Sequence, residues 1–325
     1  MTMARALWLT AIRQAELKST SLDALADGEL LIESRFGAIS KGTETLIAEG
    51  SVPASEHDCM RAPMQAGDFP FPVKYGYAVV GRIKAGSAKP IGQTVFCLHP
   101  HQDLFHIPAN MAFPVPPDVP AHRAVLAANM ETALNGIWDA GVLAGDKVTI
   151  VGGGLVGLLT AFLAAKVPGV QVTLVDVNPD RSRLAEMLGC SFALPEAAEA
   201  SDCDSDVVFH ASATSEGLST AIAVAGFEAR IVEMSWFGDS RSVVPLGGRF
   251  HSHRLSIVGS QVGHVPATRR SRWPLSRRLE TALALLADDR LDGLISGETA
   301  FNDLAAGYID ILSDPDTLCH RIRYV

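Results

Sequence analysis

The segment from Lys147 to Arg181 constrains the fold more than any other part of the chain. Residues 148–151 form a short apolar, β-branched run, which is typical of a buried strand. The next stretch, Leu155 to Lys166, is typical of a helix, and a second buried strand runs from Gln171 to Val175. This succession of strand, helix and strand predicts a parallel sheet.

The turn between the first strand and the helix carries a glycine pattern. Gly152, Gly154 and Gly157 have the spacing G-x-G-x-x-G, and Asp176 ends the second strand about twenty residues later. The first glycine permits a tight turn, the second lets a pyrophosphate approach the backbone, and the third allows close packing of the helix. The helix N-terminus then offers free N–H groups to phosphates. The pattern predicts a dinucleotide site, and the alternative is an ordinary glycine-rich turn.

Strands and helices continue to alternate after Asp176, which predicts a doubly wound parallel sheet. Two further helices and a terminal strand complete the chain. We expect helices at Glu131–Ala140, Pro179–Leu188 (stopped by Gly189), 216–225, Leu275–Ala287 and Asn302–Leu312, and strands at Val207–His210, Arg230–Met234, Leu255–Val258 and Cys319–Val325.

The first 128 residues are rich in short strand-like runs separated by turn residues. Proline and glycine punctuate Ser51 to Gly76, which predicts a long ordered loop of the kind that often carries function. The clearest strands are Ala6–Ile12, Leu30–Phe36, Tyr77–Ile83 and Thr94–Leu98.

Composition limits the classes of function. The 325 residues suggest two domains, or one large domain with an insertion. A net charge of −9 argues against binding to nucleic acid or anionic membranes. No convincing signal sequence precedes Arg13. Scattered cysteines without a C-x-x-C pair fit a reducing cytoplasm rather than a disulfide framework. They are Cys59, Cys97, Cys190, Cys203 and Cys319.

With these features the chain resembles the medium-chain dehydrogenases/reductases over nearly its whole length. The resemblance implies an α/β fold, with a GroES-like β-rich catalytic domain at 1–128, completed by 261–325, and a Rossmann domain at 129–260. It also implies an NAD(P)-dependent, alcohol dehydrogenase-like oxidoreductase. Asp176, Asn178 and Arg181 match the adenine ribose contacts, and Val156 and Thr132 match positions near the nicotinamide. Met234, Ser235, Ser260 and Val262 match the backbone beside the carboxamide, and Arg321 a pyrophosphate contact.

The chain departs from the zinc-dependent branch of this superfamily. Lys41 replaces the cysteine of the C-G-[ST]-D motif, Tyr77 replaces the histidine of G-H-E, and the third ligand position falls near Ala128. The lobe with four structural cysteines is absent. The run Ile39–Glu44 is similar to a zinc-lacking subgroup that includes bacteriochlorophyllide-type hydroxyethyl dehydrogenases. We therefore expect no catalytic zinc.

Several side chains are candidates for chemistry. Lys41, Thr43 and Tyr77 are candidates to stabilise charge on a substrate oxygen, and Lys41 is alternatively a surface lysine on a loop. Glu131 is either a proton relay or an exposed glutamate near a helix start.

The sequence leaves the roles of two polar clusters open. Cys97, His99 and His101 alternate and would share one face of a strand, so they either bind a metal or simply end the strand. The other cluster favours an anionic substrate or forms a solvated basic face. It comprises Arg269, Arg270, Arg272, Arg277 and Arg278.

The sequence thus predicts hydride transfer between the nicotinamide of NAD, in preference to NADP, and a carbonyl or secondary alcohol of a small molecule. The alternatives are a zinc-free enoyl or quinone reductase and a nucleotide-binding protein without turnover. We also expect a homodimer that pairs through the edge strand Leu255–Val258.

Overall fold

A computed structural model describes residues 2–201 and 204–324, so Cys203 lies outside the described residues. The chain divides into two compact units. Unit 1 comprises residues 1–128 and 283–325, and unit 2 comprises residues 129–282. The first boundary coincides with the predicted one. The return to unit 1 comes later than the predicted residue 261, so residues 261–282 belong to unit 2.

The N-terminal part of unit 1 is mainly antiparallel sheet. Its core is formed by inward-facing residues of neighbouring strands, among them Leu30, Ile83 and Phe105. The elements are β1 (Thr2–Ala11), β2 (Gln14–Leu22), β3 (Glu29–Ser40), α1 (Lys41–Glu49), β4 (Ala66–Gly67), β5 (Val73–Lys74), β6 (Val79–Ala85), β7 (Thr94–Cys97), β8 (Leu104–Pro108) and β9 (Ala112–Pro114). The strands β2-β1-β5-β4 form one small sheet.

Helix α1 corrects the sequence interpretation of Lys41 as a residue on a loop. The helix begins at Lys41, directly after the long strand β3, and Gly50 ends it in a left-handed conformation (φ 70°). A second correction concerns the alternating residues after β7. This strand ends at Cys97, so His99 and His101 do not continue its face.

Unit 2 contains the predicted doubly wound sheet. The elements are α2 (Ala127–Ala140), β10 (Lys147–Val151), α3 (Leu155–Ala164), β11 (Gln171–Val175), α4 (Arg181–Leu188), β12 (Ser191–Ala193), α5 (Pro195–Ala200), β13 (Ser205–His210), α6 (Ser215–Val224), β14 (Ala225–Glu233), β15 (Ser256–Gly259) and α7 (Leu275–Ala284). All neighbouring strands are parallel, in the order β12-β11-β10-β13-β14-β15, so the strand order reverses beside β10.

The C-terminal segment completes the larger sheet of unit 1 with β16 (Ile295–Ala300), α8 (Leu304–Ser313) and β17 (Cys319–Arg323). This sheet has the order β16-β17-β3-β6-β7-β9, and β8 pairs with β3. The terminal strand is confirmed, whereas β16 was missed because its sequence ISGETA has no alternating apolar face. Within the described residues, no helix combines the length and apolar character needed to cross a bilayer.

Candidate cofactor and active sites

In unit 2 the glycine turn has the geometry that its sequence predicts. Gly152 follows β10 with φ 110°, and a Cβ there would lie 2.7 Å from the Ser212 nitrogen. A Cβ at Gly157 would lie 1.9 Å from the Gly152 carbonyl oxygen, so only glycine fits. Gly154 has open space where a Cβ would be, and no side chain caps the start of α3. The turn therefore leaves room for a phosphate beside a helix N-terminus.

Asp176 lies directly beside this turn. Its Oδ2 accepts a hydrogen bond from the Gly153 nitrogen at 2.5 Å, and its Oδ1 accepts one from the Asn178 nitrogen at 2.8 Å. The Cγ of Arg181 would lie 3.2 Å from a Cβ at Gly153. The structure thus brings together the three residues predicted at the adenine ribose.

The residues predicted near the nicotinamide lie in different surroundings. Val156 is in the first turns of α3, and its carbonyl accepts from the Thr160 hydroxyl at 2.8 Å. Met234 follows β14, and its methyl group packs where a Cβ at Gly136 would be, at 2.6 Å. Thr132 lies half-buried in α2. Ser235 accepts from the Ala213 nitrogen at 3.1 Å, close to the sheet edge that carries the glycine turn.

A buried arginine connects the remaining predicted residues of unit 2. Arg278 donates through Nε to Glu131 at 3.0 Å, through Nη1 to Asn135, and through Nη2 to the carbonyl of Val262. Ser260, two residues before Val262, donates to Asp139 at 2.7 Å. Arg278 therefore fixes the loop that follows β15 against helix α2.

The Glu131–Arg278 pair corrects two of the alternatives left open by the sequence, an exposed Glu131 and a solvent-exposed Arg278. Glu131 is only 5% exposed and Arg278 only 2%, so neither is a solvated surface residue. Burial raises the pKa of Glu131, and the nearby Arg278 guanidinium opposes that rise.

In unit 1, the structure brings together two of the three candidates for the substrate oxygen. The Tyr77 hydroxyl donates to the Thr43 hydroxyl at 3.2 Å. Burial raises the pKa of Tyr77 to about 12, so the phenol keeps its proton at neutral pH. The Lys41 ammonium instead donates to the backbone carbonyl of Asp314, the residue that follows α8. A cation is favourable at such a helix C-terminus.

The residues at the family's zinc positions do not fit a zinc ion. A catalytic zinc needs three protein ligands and one open position. Ala128 has no ligand atom in its side chain, Lys41 is cationic, and Tyr77 is a protonated phenol. Among residues 2–201 and 204–324, no three His, Cys, Asp or Glu side chains are placed to hold a metal ion.

The alternating residues near β7 have separate roles. The His99 ring stacks on Phe105 with centroids 3.6 Å apart, and burial lowers its pKa to about 3. Burial also raises the pKa of the Cys97 thiol. His101 Nε2 lies 2.8 Å from the Glu44 carboxylate. They form no common cluster.

Glu44 is a buried carboxylate that the sequence interpretation missed. It is 0% exposed, and it accepts hydrogen bonds from the Tyr308 hydroxyl at 2.6 Å and the Ser40 nitrogen at 2.8 Å, besides facing His101. Helix α1 also contains Lys41, Thr43 and Glu49, so nothing in the local sequence marks Glu44 as buried. Tyr308 and His101 come from distant segments, so no motif could have identified them as partners.

No family model matches the chain, but its sequence is similar to those of several known proteins. An uncharacterised zinc-type alcohol dehydrogenase-like protein of Haemophilus influenzae is 23% identical over 66% of this chain and 62% of its own length. D-guloside 3-dehydrogenase of Escherichia coli K12 is 25% identical over 87% of this chain and 88% of its own.

Solved structures agree on the fold. A protein of Sinorhizobium meliloti 1021, described as a zinc-binding dehydrogenase and bound to NADP, superposes with a TM-score of 0.79. That match covers 100% of both chains at 18% identity. The chain is therefore similar in sequence to a zinc-type alcohol dehydrogenase-like protein and to a D-guloside 3-dehydrogenase, and it has the fold of a solved dehydrogenase.

Proposed function

We propose that the protein is an NAD-dependent dehydrogenase that interconverts a secondary alcohol and its carbonyl without catalytic zinc. The observation that carries the proposal is the glycine turn of unit 2, with Asp176 bonded to Gly153 at the carboxyl ends of β10 and β11. Dinucleotides bind at such a point, where the strand order reverses.

The carboxylate of Asp176 supports a preference for NAD over NADP. An adenine ribose at this position would donate its hydroxyls to Asp176, whereas a 2′-phosphate would face a negative charge. At about 4 Å that repulsion is worth about 1 to 4 kcal/mol for effective dielectrics of 80 to 20. Tighter binding of NADPH than NADH in a fluorescence titration would contradict this preference, and Asp176→Asn should reduce it.

The chemistry that NAD supplies is the acceptance or donation of a hydride at its nicotinamide ring. The protein must then bind the substrate oxygen, and the proton that the alcohol loses on oxidation would pass to water. Thr43 and Tyr77 suit the binding of the oxygen, because the Tyr77 phenol donates to the Thr43 hydroxyl and leaves the Thr43 proton for the substrate oxygen. A positioned donor of this kind is worth about 10²- to 10³-fold in rate.

Lys41 remains a less favoured candidate for binding the substrate oxygen, and Glu131 a less favoured candidate for relaying the proton. The ammonium of Lys41 is engaged by the Asp314 carbonyl, and the carboxylate of Glu131 by Arg278. Either group would have to give up a charge-assisted hydrogen bond before it could serve a substrate.

The substrate class that we propose is a small polyhydroxylated molecule with a secondary alcohol. This proposal is supported by the D-guloside 3-dehydrogenase of Escherichia coli, which aligns along most of both chains. We further propose a homodimer, since β15 is an edge strand of the unit 2 sheet and Leu255 before it is buried.

A turnover screen tests the proposal. The full chain, NAD and a panel of polyols and glycosides should give NADH absorbance at 340 nm for at least one secondary alcohol. With that substrate, Tyr77→Phe and Thr43→Val should each lower kcat by about 10²-fold. Reduction of activated C=C bonds by NADH, without any alcohol oxidation, would contradict the proposal.

The matched control is Thr45→Val, on the same helix as Thr43. Thr45 has no role in the proposed site, so kcat should stay within about threefold of wild type. All variants should bind NADH as the wild type does, because Thr43 and Tyr77 belong to unit 1 and the glycine turn to unit 2.

A further inference from the structure

Unit 1 contains a cavity of about 570 Å³ on the larger sheet, where β16, β17 and β3 are neighbours. This volume is typical of small-molecule sites. The proposed turnover uses none of the residues that line the cavity. Its charged lining residues are Arg321, Arg323, Glu298 and Asp292.

The strand pairing explains why charged side chains meet at this cavity. Arg321 and Arg323 are two residues apart on β17, so they project from the same face of the sheet. Glu298 on β16 lies opposite Arg321, and Phe36 on β3 lies opposite Arg323. The Arg321 guanidinium also lies over the Phe36 ring, 5.4 Å from its centroid. One strand therefore presents two cations between a carboxylate and an aromatic ring.

Glu298 holds both arginines in place. Its Oε2 accepts from Arg321 Nε at 2.6 Å, and its Oε1 accepts from Arg323 Nε at 3.0 Å. In the described part of the chain, the two terminal amino groups of Arg323 form no hydrogen bond, and 48% of this side chain is exposed. A guanidinium that is fixed through Nε and keeps its terminal N–H groups free suits a planar carboxylate.

A second carboxylate in the lining offers acceptors. Asp292 accepts from the buried Arg123 through both oxygens, at 2.8 Å from Nε and 2.6 Å from Nη2. The hydrogen bond from Arg123 lowers the pKa of Asp292, so this group stays ionised at neutral pH. Each carboxylate oxygen keeps a further lone pair, and 44% of the side chain is exposed. Asp292 can therefore accept hydrogen bonds from the hydroxyl groups of a ligand.

The charges around the cavity favour a monoanion. The guanidinium groups of Arg321, Arg323 and Arg123 outnumber the two carboxylates by one. A phosphate monoester carries a charge of about −1.5 to −2 and would place the excess beside Glu298 and Asp292. A carboxylate neutralises the single positive charge without this excess.

The rest of the lining suits a carbon chain. Phe36 and Ile295 add apolar surface beside the charged groups. The cavity therefore combines a cationic end, hydrogen-bond acceptors and an apolar wall.

We propose that this cavity binds a small hydroxylated monocarboxylate of the sugar-acid class. Its carboxylate binds the terminal amino groups of Arg323, its hydroxyls donate to Asp292, and its carbon chain packs on Phe36. This binding site does not rest on the proposed dehydrogenase activity.

Calorimetric titration of the full chain, without NAD, tests the proposal with matched probes. Gluconate has the carboxylate and the hydroxyls, sorbitol has hydroxyls without a carboxylate, and hexanoate has a carboxylate without hydroxyls. Gluconate should bind at least about tenfold more tightly than sorbitol, hexanoate or inorganic phosphate, because each of these lacks one of the matched features.

Arg323→Met removes the group that binds the carboxylate. Arg323 is half-exposed at the end of β17, and Glu298 keeps Arg321 as a partner, so the fold should persist. The Kd for gluconate should rise about 10- to 100-fold, the loss of a charge-assisted contact. The control is Arg13→Met, an arginine of equal exposure that is paired with Glu49. It should leave the Kd for gluconate unchanged, and neither variant should change the Kd for NADH.

Four outcomes would overturn the proposal. Absence of gluconate binding to the wild type at about 10 mM removes the site. Equal affinity for hexanoate, sorbitol or phosphate removes the ligand class. Unchanged gluconate affinity in Arg323→Met places the ligand elsewhere. Equal losses of gluconate and NADH affinity in Arg323→Met would assign the cavity to the dinucleotide instead.

Discussion

The two units build their polar sites in different ways. In unit 2, the glycine turn and Asp176 lie within one strand–helix–strand segment, and glycines, which have no side chain, set much of the geometry of the turn. In unit 1, the Glu44 carboxylate gathers partners from β3, from the loop after β7 and from α8. A site made by backbone conformation is visible in a short motif, whereas a site made by distant side chains is not.

The two buried carboxylates differ in the partners that hold them. Glu44 is held by a phenol, a backbone nitrogen and an imidazole, whereas Glu131 is held by the guanidinium of Arg278. Removing either carboxylate or its partner leaves buried polar groups without a hydrogen bond. We therefore expect both networks to hold their units together, with the larger effect at Glu44, where three donors converge.

The largest expected effect is that of Glu44→Leu. It leaves the Tyr308 hydroxyl, the Ser40 nitrogen and His101 without their acceptor, and should lower the free energy of unfolding by about 3 to 5 kcal/mol. Urea unfolding followed by circular dichroism measures this. The control is Glu49→Leu on the same helix, whose exposed ion pair with Arg13 (2.6 Å) is worth at most about 1 kcal/mol. Equal losses in both variants would show that the Glu44 network contributes little.

A smaller loss is expected for Arg278→Met, about 3 kcal/mol at pH 8, because Glu131 remains as a buried charge. Burial already raises the pKa of Glu131, and removing Arg278 raises it further. Protonation then relieves the cost, so the loss should shrink as the pH falls toward about 5. The neighbouring Arg277→Met is the control, since Arg277 is exposed and stacks on Trp273 at 3.8 Å. A pH-independent loss would contradict the account.

Local patterns predicted unit 2 well and unit 1 less well. The strands β10, β11, β13 and β14 are apolar runs between turn residues, so their parallel sheet was predictable. Helix α1 was missed because glycine and threonine follow Lys41, and only packing of Ile47 and Ala48 into the core stabilises the helix. Strand β2 was missed because most of its residues are exposed and polar.

The residues of the candidate site were also predictable to different degrees. The ribose residues Asp176, Asn178 and Arg181 lie together as expected. Tertiary contacts decided the rest: only the fold shows that Arg278 lies buried against Glu131 rather than in solvent.

The smallest expected effect at neutral pH concerns His99 in unit 1, because its contribution changes only as the pH falls below about 6.5. Burial lowers the pKa of His99 from 6.5 to about 3. Between these pH values His99 is therefore protonated in the unfolded chain and neutral in the folded chain. Its neutral form therefore contributes stability that is complete above about pH 6.5 and is lost as the pH falls toward about 3, at up to about 1.4 kcal/mol per pH unit. In His99→Phe, which keeps an aromatic ring against Phe105, this part of the pH dependence should disappear.

Urea unfolding at several values between about pH 4.5 and 7 measures the slope for His99→Phe and wild type. The exposed His251 provides the control, since His251→Gln should leave the wild-type slope unchanged. Parallel slopes for wild type and His99→Phe would show that His99 does not resist protonation.

We propose a dehydrogenase whose unit 1 site works through Tyr77 and Thr43 rather than through a metal. The most direct measurement is the zinc content of active protein by elemental analysis, together with alcohol oxidation before and after treatment with EDTA. We expect far less than one zinc per chain and unchanged turnover, because Lys41, Tyr77 and Ala128 cannot form the three-ligand site. One zinc per active chain, with activity lost to the chelator and restored by zinc, would contradict it.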